Sequence, residues 1–179
     1  MGRPKQLLQF EGKTLIRRAA EALIDTGGYP VVVVLGAEIE GCQKELDGLE
    51  IDVIENPDWR SGMSSSIRVG IEKLIDLESS LDAVLITLVD QPYVASEKLA
   101  LFCDRFAETP SPIIAAKYEG VQGVPALFDK SLFEPLMNLE GDKGARELII
   151  RGPTVAIDLP EAAMDIDGPE DLPESVPAS

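Results

Sequence analysis

A chain of 179 residues is long enough to bury the core of one domain, and with 45% hydrophobic and 27% charged residues it is expected to fold. Because the chain has 32 acidic residues and only 16 lysines and arginines, its surface is negative, which excludes nucleic-acid binding through a basic face. The sequence contains no histidine, which excludes Ser/His and Cys/His nucleophile pairs and histidine-ligated zinc.

The first ten residues, MGRPKQLLQF, place the cations Arg3 and Lys5 in a turn ahead of a helical segment. Such cations either contact a bound phosphate or face solvent, and this stretch alone does not decide between the two. The apolar spacing from 15 to 24 predicts a helix that ends at Gly27-Gly28. The next predicted elements are the strand VVVVLG, a short helix over 37–47 and a strand over 51–54.

The alternation of helix and strand continues through the second half of the chain. Three serines at 64–66 can cap a helix, and residues 83–89 form the strongest strand pattern. This order predicts a three-layer α/β fold with a mainly parallel sheet, in one domain over 1–172, with a loose tail at 173–179. The remaining predicted elements are a helix from 96, a strand over 112–117, the strand VPALF, the helix KGARELII, the strand TVAI and a turn of helix over 169–172.

Two sequence features bear on the compartment. Cys42 and Cys103 lie in apolar segments far apart, which is neither a disulfide framework nor a metal spacing, so we expect two buried structural thiols. The longest apolar runs, 31–35 and 83–89, are far shorter than the roughly 20 residues that span a bilayer. We therefore expect a cytoplasmic protein with no membrane partner.

Two acidic elements follow predicted strands. Asp90 comes directly after an apolar run, so it should emerge at the carboxyl end of a buried strand, where open α/β sheets bind ligands. In DIDGPEDL, Asp165 and Asp167 share one face if the segment is extended. Carboxylates placed in this way can bind Mg²⁺. The alternative is local capping, with Asp90 capping the next turn and Asp167 or Glu170 capping the last helix.

The stretch RSGMSSSIRVG offers a flexible Gly62, three hydroxyl groups and amides at the start of a helix, together with Arg68. Helix amino termini favour anionic or polar groups of a ligand, because their amides lack partners inside the helix. A simple serine cap explains the serines equally well.

Six sequence blocks occur in the order and spacing of the molybdenum cofactor nucleotidyltransferases: MGRPKQLL, NPDWRSGMSSSIRVGI, LVDQPYV, GVPALF, LEGDKGARELI and DIDGPEDL. They run from Met1 to about Leu172, and the chain most resembles the cytidylyltransferase branch of this MobA-like family. The resemblance implies a Rossmann-like nucleotidyltransferase fold. It also implies Mg²⁺-dependent transfer of CMP from CTP to the terminal phosphate of the molybdenum-bearing pterin, a molybdopterin-type substrate, with release of pyrophosphate.

The resemblance assigns roles to residues at matching positions. Lys5 matches the family's phosphate-binding lysine, and Asp90 and Asp167 match its two acidic positions at the metal. These three residues are the implied catalytic residues. The implied nucleotide-binding residues are Arg3, Lys5, Gly62, Ser65, Ser66 and Arg68, and the implied substrate-binding residues are Gly123 and Pro125.

The sequence departs from the family pattern at three places. Val124 stands where this branch usually has a histidine, and Gly168 replaces the usual threonine before Pro169. The family's first strand and glycine-rich loop precede the block that opens this chain. Without that strand we expect unpaired backbone groups and a gap in the core, and without that loop we expect weak nucleotide binding.

Three other functions stay open at this point. One is a guanylyltransferase of the same cofactor that uses GTP, and another is a sugar-1-phosphate nucleotidyltransferase. The third is a non-catalytic protein that carries the cofactor to a molybdenum hydroxylase or its maturation factor. The missing loop and Val124 favour the carrier, whereas the retained acidic residues count against it.

Overall fold

The computed structural model describes residues 4–173, which form eight strands and six α-helices. The strands are β1 (Gln9–Phe10), β2 (Lys13–Thr14), β3 (Val32–Leu35), β4 (Asp52–Glu55), β5 (Ala83–Ile86), β6 (Ile113–Tyr118), β7 (Val121–Asp129) and β8 (Thr154–Asp158). The helices are α1 (Leu15–Ile24), α2 (Ile39–Leu46), α3 (Met63–Leu77), α4 (Ser96–Glu108), α5 (Phe133–Met137) and α6 (Arg146–Arg151).

The strands pair in three groups. β3 and β4 are parallel neighbours, β5-β7-β6-β8 form a four-stranded sheet, and β1 and β2 form a small hairpin. In the larger sheet β5, β6 and β8 run in one direction and β7 runs against them. One cavity is lined by the residues that follow β3 and β5, and a second is lined by the residues that precede them, so these two strands also point the same way. The expectation of a mainly parallel α/β sheet is confirmed.

Helices cover both faces of the strands. On β6, Ile113 and Ala115 pack with α5 and α6, whereas Ile114 and Ala116 pack with α4 on the other side. This alternation follows from the two-residue period of a strand. α1 and α2 pack against β3 and β4, and α3 lies on the face of α5 and α6. The three-layer prediction is confirmed.

Several local expectations need correction. VPALF forms a strand as expected, within β7, and β7 is the antiparallel member of the sheet because it returns directly from β6 through a tight turn at Glu119 and Gly120. The strand predicted over 83–89 ends at Ile86. Cys42 is buried, and burial raises the pKa of its thiol, but Cys103 is only half-buried. Within the described residues no helix is long and apolar enough to cross a membrane.

The hairpin β1–β2 follows the segment that carries Lys5, and α1 holds it by ion pairs. The carboxylate of Glu21 in α1 accepts a hydrogen bond from Lys13 of β2 at 2.5 Å and another from Arg17 at 3.0 Å. These bonds, chiefly the one from Lys13, lower the pKa of the Glu21 carboxyl against the opposing effect of burial. The ion pairs thus join the hairpin to the first helix.

Replacing Glu21 with glutamine should lower the free energy of unfolding at pH 7 by about 0.5–1 kcal/mol. Because the folded pKa lies below the unfolded one, the stabilisation is present above the unfolded pKa and is lost as the pH falls through the folded value. Urea unfolding at pH 7 and pH 3 measures the difference. Glu72→Gln on the exposed face of α3 is the control, and an equal loss for Glu21→Gln at both pH values would contradict the ion-pair account.

Candidate functional site

One lysine joins two carboxylates beyond the carboxyl end of β5. The ammonium group of Lys5 lies 2.6 Å from Oδ2 of Asp90 and 3.1 Å from Oδ1 of Asp167. Burial works to lower the pKa of Lys5, but the bonds to both carboxylates outweigh it and raise the pKa above its ordinary value. Lys5 is therefore a fixed cation, and the structure brings together the three residues predicted to be catalytic.

Asp90 is the most enclosed member of this group. Its side chain is 15% exposed, and its second oxygen, Oδ1, is buried without a hydrogen-bond partner among the described residues. The carboxylate accepts only from Lys5 there, so the alternative that Asp90 caps the next turn is wrong. A buried carboxylate oxygen without a partner costs free energy unless something binds it, which marks Asp90 as a ligand position.

The segment 165–167 is hydrogen-bonded to the backbone of Asp90. The amide of Ile166 donates to the carbonyl of Asp90 at 2.8 Å, and the Ile166 side chain is buried. Asp165 and Asp167 flank it. The amides of Asp167 and Gly168 donate to Oδ2 of Asp171, so Asp171 caps the last turn, and the alternative that Asp167 or Glu170 does so is wrong.

A second group surrounds Asp165. Burial first, and then the charge of Asp90, raise the pKa of the Asp165 carboxyl, while a hydrogen bond from Gln91 acts the other way. Burial and the charge of Asp165 also raise the pKa of Tyr118, against the effect of Arg146. Tyr118, at the end of β6, and Arg146 both line the cavity beneath the site, so Arg146 brings a second cation to the cavity wall.

The serine loop is built differently from a simple cap. α3 begins after Gly62 in the N-cap position, which makes no side-chain cap, so the serine-cap alternative is wrong. Ser65 is buried and its hydroxyl donates to the Gly62 carbonyl at 2.8 Å, whereas Ser66 is half-buried and lines a cavity beneath the site. Buried Asn56 donates to both hydroxyl groups, at 2.8 and 3.0 Å. Asn56 is a positioning residue that the sequence reading missed.

The other predicted contact residues occupy separate places. Gly123 lines the same cavity under the hydroxyl of Tyr118, and Pro125 follows a cis peptide bond in β7. Arg68 donates to the carbonyls of Met137 and Leu139, so its guanidinium ties α3 to the end of α5. Arg3 lies outside the described residues.

The donor set fits a hard divalent cation. Asp90 and Asp167 supply carboxylate oxygens, and the described residues contain no group of three or more histidine, cysteine or acidic side chains that could form a complete cage. Mg²⁺ binds through one or two protein carboxylates and completes its shell with water and phosphate oxygens. The unpartnered Oδ1 of Asp90 matches that mode of binding.

Two residues of the site carried weak sequence signals. Gln91 is buried, and its amide donates to the carbonyls of Ala162 and Val124, at 2.8 and 3.4 Å. The signal in the sequence that could have marked Gln91 is its position directly after Asp90. Arg18 donates to the carbonyl of Pro92 at 2.8 Å and pairs with Glu11, which ties the hairpin to the loop after Asp90. No motif marks Arg18.

Comparison with known proteins agrees with this geometry. Residues 1–155 match the family described as the MobA-like NTP transferase domain. A curated protein from Paenarthrobacter nicotinovorans named nicotine blue oxidoreductase is 29% identical over 158 residues, which cover 84% of this chain and 74% of that protein.

Solved structures extend the comparison. Rv0371c from Mycobacterium tuberculosis aligns with a TM-score of 0.76 and 26% identity, over 96% of this chain and 88% of the other. A second structure of Rv0371c is a complex with manganese, with a TM-score of 0.74 and 27% identity over 95% and 90% of the two chains. A 4-diphosphocytidyl-2C-methyl-D-erythritol synthase from Anaerococcus prevotii shares the fold at 11% identity, with a TM-score of 0.75 over 93% of this chain and 89% of the other.

Proposed function

Because this chain belongs to the MobA-like NTP transferase family, we propose that it transfers CMP from CTP to the terminal phosphate of a molybdopterin-type substrate. The observation that carries the proposal is Lys5 held between Asp90 and Asp167 at the carboxyl end of β5, with one oxygen of Asp90 unpartnered. The choice of CTP and of a pterin phosphate rests on the six sequence blocks that resemble the cytidylyltransferase branch.

The reaction needs no histidine base. A phosphate monoester has its second pKa near 6, so at neutral pH it is largely the dianion and is already a nucleophile. One of its oxygens forms a bond to the α-phosphorus of CTP. The bond from that phosphorus to the oxygen bridging to the β-phosphate breaks, and its electron pair leaves with pyrophosphate. The barrier lies in bringing these anions together and in stabilising the charge that develops.

The chain's own residues supply much of that stabilisation. Lys5 stays protonated and can exchange its carboxylate partners for oxygens of the triphosphate. Arg146 lines the cavity and can contact the phosphate of the second substrate. Asp90 and Asp167 would hold a divalent cation, and that cation, when bound, would neutralise charge on the phosphoryl oxygens.

The loops on either side of the carboxylates would hold the two substrates. Gly62, Ser65 and Ser66 lie at the start of α3, where Ser66 faces the cavity and Ser65 fixes the loop backbone. Arg68 keeps α3 against α5. Gly123 of β7 lines the cavity on the side proposed for the pterin, and Pro125 is buried two residues further along the same strand.

Release of pyrophosphate from a panel of CTP, GTP, ATP and UTP, with Mg²⁺ or Mn²⁺ and a pterin phosphate or a sugar 1-phosphate as acceptor, tests the proposal. We expect turnover with CTP and the pterin substrate. Turnover with GTP instead would identify a guanylyltransferase, and turnover with a sugar 1-phosphate would identify a different acceptor. Tight binding of the pterin with no turnover on any nucleotide would favour the carrier.

A further inference from the structure

One arginine of α1 joins the first hairpin to the loop that follows β5. The Nε of Arg18 donates to the carbonyl of Pro92 at 2.8 Å, and a terminal nitrogen of its guanidinium lies 3.0 Å from the carboxylate of Glu11. The guanidinium carbon also lies over the ring of Phe10, 4.9 Å from its centre. Because the Arg18 side chain is only 29% exposed, these contacts are partly shielded from water. Arg18 therefore connects three points that belong to two separate parts of the chain.

The ring of Phe10 makes a second link to the same loop. Phe10 is 3% exposed and packs edge-on against Tyr93, with ring centroids 4.9 Å apart and an angle of 76° between the planes. An arginine over an aromatic face and an edge-on aromatic pair each have a preferred geometry. The Phe10 ring, held between Arg18 and Tyr93, thus orients the hairpin against the loop as well as bringing the two together.

The carbonyl of Pro92 is a well-defined point in the loop that carries Asp90. Pro92 is buried, and the amide of Val94 closes a turn around it by donating to the carbonyl of Gln91 at 3.1 Å. A buried carbonyl group needs a hydrogen-bond donor, and Arg18 supplies one from α1. Since Asp90 is only two residues before Pro92, this bond fixes the path of the chain as it leaves Asp90.

The segment that carries Lys5 is bonded to the same helix. The amide of Leu8 donates to the carbonyl of Lys5 at 3.0 Å, and the amide of Leu15, the first residue of α1, donates to the carbonyl of Leu8 at 3.0 Å. The backbone around Lys5 therefore follows the start of α1. Because Arg18 lies one helical turn further along α1, its bond to the loop also sets the position of the Lys5 segment relative to that loop.

A small hydrophobic core beneath these segments holds them together without orienting the polar groups above it. Leu8 packs there with Ile166 and Val89, the neighbours of the two acidic residues of the site. Hydrophobic packing has no preferred direction, whereas a hydrogen bond requires both a distance and an angle. Among the residues that the structure describes, two hydrogen bonds join the first hairpin and helix to the loop after β5, one from Lys5 and one from Arg18.

We propose that Arg18 is a positioning residue that keeps the Lys5 ammonium group in place for the triphosphate, a role that rests on the proposed function. When Lys5 exchanges its carboxylate partners for oxygens of the nucleotide, its bond to Asp90 no longer holds it to the loop. The bond from Arg18 to Pro92 then remains as the directional link between the two parts. Displacing a group that stabilises the transition state by about 1 Å can lower the rate by about 10²-fold.

Steady-state kinetics of Arg18→Gln test the proposal against a matched variant of the adjacent residue. We expect kcat for pyrophosphate release to fall at least about tenfold, with the KM for the nucleotide changed by less than about threefold. Arg17→Gln is the control, because Arg17 bonds to Glu21 and to the carbonyls of Glu45 and Asp47, on the side of α2. It should lower the unfolding midpoint as much as Arg18→Gln does, yet leave kcat unchanged.

A double variant shows whether Arg18 acts through Lys5. If it does, adding Arg18→Gln to Lys5→Ala should lower kcat by less than about twofold, because the interaction that Arg18 maintains is already lost. Full additivity of the two substitutions, or an equal loss of kcat in Arg17→Gln, would overturn the proposal and leave Arg18 with a structural role alone.

Chemical labelling gives a readout that needs no turnover. Acetic anhydride, with mass spectrometry of the labelled peptides, should modify Lys5 at least about threefold faster in Arg18→Gln than in the unmodified chain, since its segment opens more often. Lys73, which pairs with Asp52 on β4, is the internal reference. Arg17→Gln should leave the labelling of Lys5 unchanged. Unchanged labelling in Arg18→Gln would contradict the proposal even if the transferase activity is found, and faster labelling would support it even if that activity is not.

Discussion

Replacing Asp90 with asparagine should lower the rate of pyrophosphate release by about 10²- to 10³-fold, with little change in fold. The amide keeps the size of the carboxylate but removes its charge, so Lys5 loses its nearer partner, at 2.6 Å. It also removes an anionic oxygen at the position of the unpartnered Oδ1. We expect weaker binding of Mn²⁺ as well, measured by electron paramagnetic resonance in the absence of nucleotide.

The control for Asp90→Asn is Asp158→Asn. Asp158 also lies at the carboxyl end of a strand, but its side chain is 84% exposed and contacts Lys117 at 3.5 Å. It should retain full turnover and unchanged Mn²⁺ binding. If Asp90→Asn binds Mn²⁺ as tightly as the unmodified chain, the metal role assigned to Asp90 is wrong, whatever happens to turnover.

The order of helices and strands could be predicted from the sequence because each layer has its own hydrophobic period. Leu15–Ile24 shows the helical period, and Ile113–Tyr118 begins with the four-residue apolar run of a buried strand. Strand direction carries no such local signal, so the antiparallel course of β7 was missed. The hairpin β1–β2 was missed because each strand has two residues, although Glu11 and Gly12, both with positive φ, mark its turn.

The candidate site was predictable to the extent that its residues follow strands. Asp90 follows an apolar run and Asp167 lies in a short acidic motif, so sequence position alone singled them out. Asp165 was left out of the implied site, because its environment depends on burial near Asp90 and Gln91, which are distant in the sequence. The anchoring of Arg68 on the α5 carbonyls depends in the same way on tertiary packing.

Gly62 is held in a conformation that other residues rarely adopt. Its φ is 114° and its ψ is 174°, in a region populated almost only by glycine. A β-carbon at this position would overlap the backbone of Gly141 and approach the amide nitrogen of Asp142 to 2.7 Å. The neighbouring Ser64 bonds to the Gly141 carbonyl through both its amide and its hydroxyl, at 3.2 and 2.7 Å. The start of α3 and the loop at 141 are therefore locked together without space for a side chain.

Replacing Gly62 with alanine should lower the free energy of unfolding by about 3 kcal/mol or more, since backbone strain and a backbone clash add. Gly48→Ala is the matched control: φ is also positive, at 81°, but nothing lies within 4 Å of its β-carbon, so strain alone should cost about 1 kcal/mol. Urea unfolding measures both. Because the loop at 141 leads to Arg146, which lines the cavity, Gly62→Ala should also raise the KM for the nucleotide, whereas Gly48→Ala should not. Equal losses of stability in the two variants would contradict the close approach of α3 to this loop.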